Sequence, residues 1–99
     1  MKESDFQHDT IEEIEARLPG CFVLKNDSRY CQGVPDFLIL YKDRWATLEF
    51  KKSRRARVRP NQPYYVDMMN DMSFSAFIFP ENKEEVLDDL ERSLKRHRR

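Results

Sequence analysis

The chain has 99 residues, 39% hydrophobic and 36% charged, with seven Phe, four Tyr and one Trp; that is room for one domain, residues 1–99, with one modest core, and a second is not expected. Eighteen cations balance 18 acids, so the total charge gives no general attraction to polyanions, yet eleven of the cations fall in KKSRRARVR (51–59) and RSLKRHRR (92–99), which hold no acid. No stretch approaches the roughly 18 apolar residues of a membrane span and MKESDFQHD lacks the apolar centre of a signal peptide, so a soluble, cytoplasmic protein without membrane partners is expected.

From Ser4 to Leu18 the apolar positions Phe6, Ile11, Ile14 and Leu18 repeat at helical spacing, and Pro19-Gly20 stops the helix. At 100° per residue Glu3 falls at the edge of that apolar stripe. Cys21–Leu24 is a short strand, followed by a polar loop ending at Gly33. Cys21 and Cys31 form no CxxC and have no nearby His pair, so they read as two reduced, partly buried thiols rather than zinc ligands. Asp36–Tyr41 and Trp45–Phe50 are strands joined by a tight turn at Lys42-Asp43-Arg44. Pro60 opens a helix over Asn61–Met72 with Tyr65, Met68, Met69 and Met72 inward. Ser75–Phe79 is the last strand. Glu81–Arg96 is a closing helix with Val86, Leu87, Leu90 and Leu94 inward, its acids early and its cations late as the helix dipole favours. The order α-β-β-β-α-β-α predicts an α/β fold, a central mixed sheet flanked by helices, with a basic tail at about 92–99.

Acids and a lysine at strand ends are costly unless something requires them. Alternate residues of a strand share a face, so Glu49 and Lys51 project together. A hairpin loop of two residues, Asp43-Arg44, or of four, adds Asp36 to that face; a plain three-residue loop throws Asp36 to the other side unless a bulge corrects it. Two adjacent carboxylates repel and call for a cation between them. Oxygen ligands without His or Cys suit Mg2+ or Mn2+. Such an ion with a neighbouring lysine has the parts for phosphodiester hydrolysis.

These residues carry a resemblance. GVPD at 33–36, followed thirteen residues after Asp36 by EFK at 49–51, resembles the PD-(D/E)XK nuclease superfamily. The whole chain resembles its VRR-NUC (virus-type replication-repair nuclease) branch of phage type, through Glu3-Ser4-Asp5-Phe6-Gln7 in the first helix and Pro60-Asn61-Gln62 at the start of the second. The resemblance implies a restriction-endonuclease-like core in which Asp36, Glu49, the backbone carbonyl of Phe50 and Glu3 hold Mg2+, with Mn2+ able to substitute. It also implies that Lys51 orients the attacking water and that Gln62 supports the site.

Lys52, Arg54, Arg55, Arg57 and Arg59, next to the lysine, are expected to meet DNA phosphates. Tyr30, Tyr64 and Tyr65 are candidates for base stacking or for packing, and His8 and His97 read as surface residues. The reading is a Mg2+-dependent endonuclease, encoded by a phage or prophage and working in a bacterial cytoplasm. A domain this small has no separate sequence-reading module, so branched DNA is the expected partner. Symmetric cleavage of a four-way junction needs two sites, hence a homodimeric Holliday-junction resolvase with Tyr41, Phe77 or Phe79 at its interface. The rivals are a monomeric nickase or flap-type nuclease, and a catalytically silent DNA-binding module on the same fold.

Overall fold

The computed structural model describes residues 2–27 and 29–96; the expectation for His97 and the last arginines lies outside the described residues. The elements are α1 (Glu3–Arg17), β1 (Phe22–Lys25), β2 (Phe37–Tyr41), β3 (Arg44–Phe50), α2 (Asn61–Met72), β4 (Phe74–Ile78) and α3 (Lys83–Lys95), with a 3-10 turn at Pro80–Asn82. The order α-β-β-β-α-β-α holds, with ends moved by one or two residues as helix and strand limits commonly are. The four strands lie in the order β1-β2-β3-β4. The first three are antiparallel neighbours and β4 runs parallel to β3, because α2 crosses over between them.

One sheet face carries the core. Ile39 and Tyr41 of β2, Ala46, Leu48 and Phe50 of β3 and Ile78 of β4 meet Phe6, Ile14 and Leu18 from the first helix and its end, and Val86, Leu87, Leu90 and Leu94 from α3. All four inward residues expected of α3 are buried. Where α1 and α3 meet, Arg17 donates to Glu13, Asp88, Glu91 and Glu84, and Lys83 pairs with Glu13 at 3.1 Å. Those partners push the Arg17 guanidinium further toward its charged form, Asp88 most of all. Glu13 is held below its ordinary value, chiefly by Lys83.

The other sheet face meets α2, which lies against β3 and β4. Its inward side differs from the expected set. Val66 is its buried residue, Tyr65, Met68 and Met69 are half-buried, and Met72 is exposed. Gln62, Val66 and Met69 are spaced by four and three and form the stripe that faces the sheet, which turns Met72, on the last turn, to one side. Tyr41 belongs to the core, so it cannot serve the expected interface; the exposed large apolar residues include Phe22, Leu24, Tyr30, Tyr64 and Met72. Cys21 and Cys31 are free and half-buried, and burial holds the Cys21 thiol above its ordinary value. Among the described residues no helix is long and apolar enough to cross a membrane.

Candidate active site

The hairpin turn decides whether the acids converge. Tyr41 pairs with Arg44, so the two-residue loop is Lys42-Asp43 rather than Asp43-Arg44. Lys42 takes a positive φ of 56°, the left-handed conformation that a tight hairpin of this kind requires at its first position. Arg44 is thereby released into β3, its guanidinium donating to the Ser93 carbonyl. Phe37 pairs with Leu48, and one step further the register sets Asp36 opposite Glu49. A two-residue loop at Asp43-Arg44 would set Asp36 opposite Lys51 instead; the register observed differs from that by two residues, which preserves parity, so Asp36, Glu49 and Lys51 share the face that meets α2.

Asp36 is fixed from two directions. Its Oδ2 accepts the Phe50 backbone N–H at 3.0 Å, which locks the carboxylate to the end of β3. Its own carbonyl accepts the Asn26 N–H at 2.7 Å while the Asn26 side chain donates to the Pro35 carbonyl at 2.8 Å.

Glu49 is 3% exposed. Its Oε2 accepts from Gln62 Nε2 at 2.8 Å, and its Oε1 is buried without a hydrogen-bond partner. Burial first, and then the charge of Asp36, push its carboxyl up to about 8, with Lys51 pulling the other way. A charged carboxylate oxygen buried without a partner costs several kcal/mol. A cation, a proton shared with Asp36 or a water molecule would offset that cost.

Gln62 joins the acid to the base. Its Oε1 accepts from Lys51 Nζ at 2.7 Å and from the Arg59 backbone N–H at 2.9 Å, while its Nε2 serves Glu49. Lys51 Nζ also donates to the Arg57 carbonyl at 3.0 Å. The ammonium is thus held by two neutral oxygens on the side of the basic loop. Arg54, in that loop, stacks over the Phe79 ring at 5.8 Å, and its backbone N–H donates to Glu81.

A cavity of about 830 Å³ is lined by Glu3, Asp36, Glu49, Phe50, Lys51 and Gln62 together with Arg57, Arg59 and the Gly33-Val34 loop. Every candidate catalytic residue read from the sequence borders this one hollow. Glu3 is carried there by packing one turn away: Phe6 meets the Phe50 ring edge-to-face at 5.7 Å, and Phe50 meets Phe37 at 5.2 Å in the same manner. The Glu3 carboxylate is exposed and accepts from Gln7 at 3.4 Å. Among the described residues no three His, Cys, Asp or Glu side chains lie close enough to share a metal, so the tight acidic pair is Asp36 and Glu49, with Glu3 at the cavity's rim.

Of the expected phosphate-binding residues, Arg57 and Arg59 line the cavity; Lys52, Arg54 and Arg55 are exposed along the same loop outside its lining. Of the candidate stacking tyrosines, Tyr65 packs edge-to-face on Tyr64 and takes a hydrogen bond from Cys31 Sγ at 3.4 Å, and Tyr30 is exposed. Sequence reading missed Gly33 as a packing residue. Its φ is +91°, and a Cβ there would stand 2.4 Å from Asn61 Cβ. The glycine at the head of Gly33-Val34-Pro35-Asp36 was the available signal.

No family model and no curated protein matches the chain. A solved structure titled "VRR_NUC domain" superposes with a TM-score of 0.69 over 87% of this chain and 94% of the other, at 21% identity. The chain therefore has the VRR-NUC fold that its motifs led one to expect.

Proposed function

We propose that the protein is a Mg2+-dependent endonuclease that hydrolyses phosphodiester bonds in DNA. The observation that carries this reading is the buried, unpartnered Glu49 Oε1 beside Asp36, in a cavity that also holds Lys51 and Gln62 and is rimmed by Arg57 and Arg59. The residues fit a hard divalent ion: two carboxylates and a nearby backbone carbonyl, no sulfur or imidazole, and a hollow with room for the waters that Mg2+ retains. Asp36, Glu49 and the Phe50 carbonyl would hold it, with Glu3 at the rim and Mn2+ able to substitute. When bound, the ion would polarise a phosphoryl oxygen and lower the pKa of a coordinated water.

The chain's own groups supply the remainder. Lys51, kept on Gln62 and the Arg57 carbonyl, presents its ammonium beside the acidic pair, where it orients the attacking water and offsets charge that develops on the phosphorane. Gln62 fixes Glu49 and Lys51 relative to each other. Arg57 and Arg59 receive the flanking phosphates, an interaction that reads backbone rather than base sequence.

The preferred substrate on this account is branched DNA, cut by a homodimer that resolves four-way junctions. Among the described residues each helix and strand belongs to the sheet or packs on it, with none set apart to read bases, and paired cuts need two sites. The exposed Phe22 and Leu24 of β1 replace Tyr41 as the apolar residues available to a partner copy. A phage or prophage origin and action in a bacterial cytoplasm complete the proposal. A monomeric nickase or flap-type nuclease is the second reading, favoured if the protein sediments as a monomer.

The test is labelled four-way junction beside matched linear duplex, each with Mg2+, Mn2+ or EDTA. Paired cuts in the junction alone support the resolvase. Equal cutting of both substrates replaces it with a general nuclease, and binding without cutting in either metal replaces it with a silent DNA-binding module.

A further inference from the structure

Asp36 and Gln62 come from parts of the chain that no strand pairing ties together. Asp36 ends the loop that follows β1, whereas Gln62 sits in the first turn of α2. Two contacts join that loop to one face of the helix. Gly33 lies against Asn61, and Cys31 Sγ bonds the Tyr65 hydroxyl at 3.4 Å. Asn61 and Tyr65 are four residues apart and so share a helix face.

The approach of Gly33 leaves no room for a side chain. A Cβ would lie 2.4 Å from Asn61 Cβ and 3.2 Å from the Asn61 carbonyl carbon, where the helix backbone has begun. The next residue is Gln62, whose amide is committed to Glu49 at 2.8 Å and whose oxygen is committed to Lys51 at 2.7 Å. Any outward shift of the start of α2 is a shift of both bonds. Gly33 itself is buried at the cavity's edge.

We propose that Gly33 is a positioning residue: its missing side chain lets the loop that delivers Asp36 close on α2 so that Gln62 reaches Glu49 and Lys51. This rests on the nuclease reading for its catalytic consequence, but the packing claim stands apart from it.

The test compares Gly33→Ala, Asn61→Gly and the double variant. Alanine at φ +91° is strained in the single and in the double alike, so the difference between them isolates the collision with the Asn61 side chain. The first readout is the side-chain amide signal of Gln62 in a 15N correlation spectrum, assigned by its loss in Gln62→Leu; the second is kcat and KM on DNA with Mg2+. In Gly33→Ala the amide signal moves toward that of a solvent-exposed glutamine, and kcat falls roughly ten- to a hundredfold, as misplacement by about 1 Å does, with KM within about threefold. In the double variant both return at least halfway, and Asn61→Gly alone keeps the wild-type signal. The proposal is overturned if Gly33→Ala keeps the wild-type Gln62 signal, or if the double is no closer to wild type than the single. Should Gly33→Ala not fold, a folded double with the wild-type signal supports the proposal and an unfolded double overturns it. A wild type that cuts no DNA removes the nuclease reading and leaves the amide signal to decide the packing claim.

Discussion

Replacing Glu49 by Gln is expected to stabilise the metal-free protein at alkaline pH, although it removes a residue central to the proposed chemistry. The folded Glu49 carboxyl holds its proton to about 8, against an ordinary value of 4.5. The folded state therefore binds that proton more tightly than the unfolded chain, so the associated stability is complete below pH 4.5 and is lost as pH rises through about 8. Each tenfold change in proton affinity is worth about 1.4 kcal/mol, which bounds the loss at about 5 kcal/mol. The interaction is shared with Asp36, so a loss of about 2 kcal/mol is a sounder expectation for the single site.

In a domain of this length 1 kcal/mol moves Tm by about 4–8 °C. In EDTA at pH 9, Glu49→Gln should accordingly melt roughly 8–15 °C above wild type, while at pH 4.5 the two should agree to about 2 °C, because a protonated Glu and a Gln have nearly the same shape. Mg2+ at ten times its Kd then adds about 1.4 kcal/mol to wild type at pH 9 and leaves the variant unmoved. The assay is thermal melting followed by circular dichroism at several pH values, with and without Mg2+. A variant that melts below wild type at pH 9, or an offset that does not change with pH, would refute the reasoning that Glu49 is a strained, cation-seeking acid.

Three further outcomes are expected. Phe6→Ala removes a ring that is 3% exposed and packed on Phe50; it should cost about 3–5 kcal/mol in urea unfolding, and a cost under about 1 kcal/mol would mean that α1 is not anchored there. Glu13 is held below its ordinary carboxylate value by Lys83 and Arg17, so its contribution is present above pH 4.5 and lost as pH falls below it; acid titration of Tm should be shallower in Glu13→Gln than in wild type, and equal slopes would contradict the assignment. Arg57→Ala with Arg59→Ala should weaken DNA binding and reduce the slope of log K against log salt by about 0.9 for each phosphate no longer neutralised; an unchanged slope in a filter-binding series would place the phosphates elsewhere.

Periodicity was sufficient where one face of an element was wholly buried. The four inward residues of α3 are an example, since Val86, Leu87, Leu90 and Leu94 are all buried members of the core. It misled on α2, a helix that covers β3 and β4 with a stripe containing Gln62, so a polar residue stands where an apolar one would have marked the face and Met72 was drawn inward by mistake. The turn was legible only to its parity. Keeping Asp36, Glu49 and Lys51 on one face called for an even loop or a bulged odd one, but the choice of Lys42-Asp43 depends on which residue takes a positive φ, and the sequence KDR offers no glycine to mark it. Tyr41 looked like an exposed aromatic at a strand end because the core it joins draws on helices α1 and α3 that are distant in sequence. The approach of Gly33 to Asn61 is likewise a meeting of distant segments, visible only once the loop and the helix are placed together.

Metal-dependent hydrolysis at the Asp36, Glu49 and Lys51 site is tested most directly by cleavage of end-labelled DNA with wild type, Asp36→Asn and Lys51→Ala across a Mg2+ titration, each protein's fold being checked by circular dichroism. Wild type should cut only with Mg2+ and stop with EDTA, and both folded variants should lose at least about a hundredfold in rate. Cutting that survives in Asp36→Asn or Lys51→Ala, or that proceeds without a divalent ion, would contradict the assignment of the site.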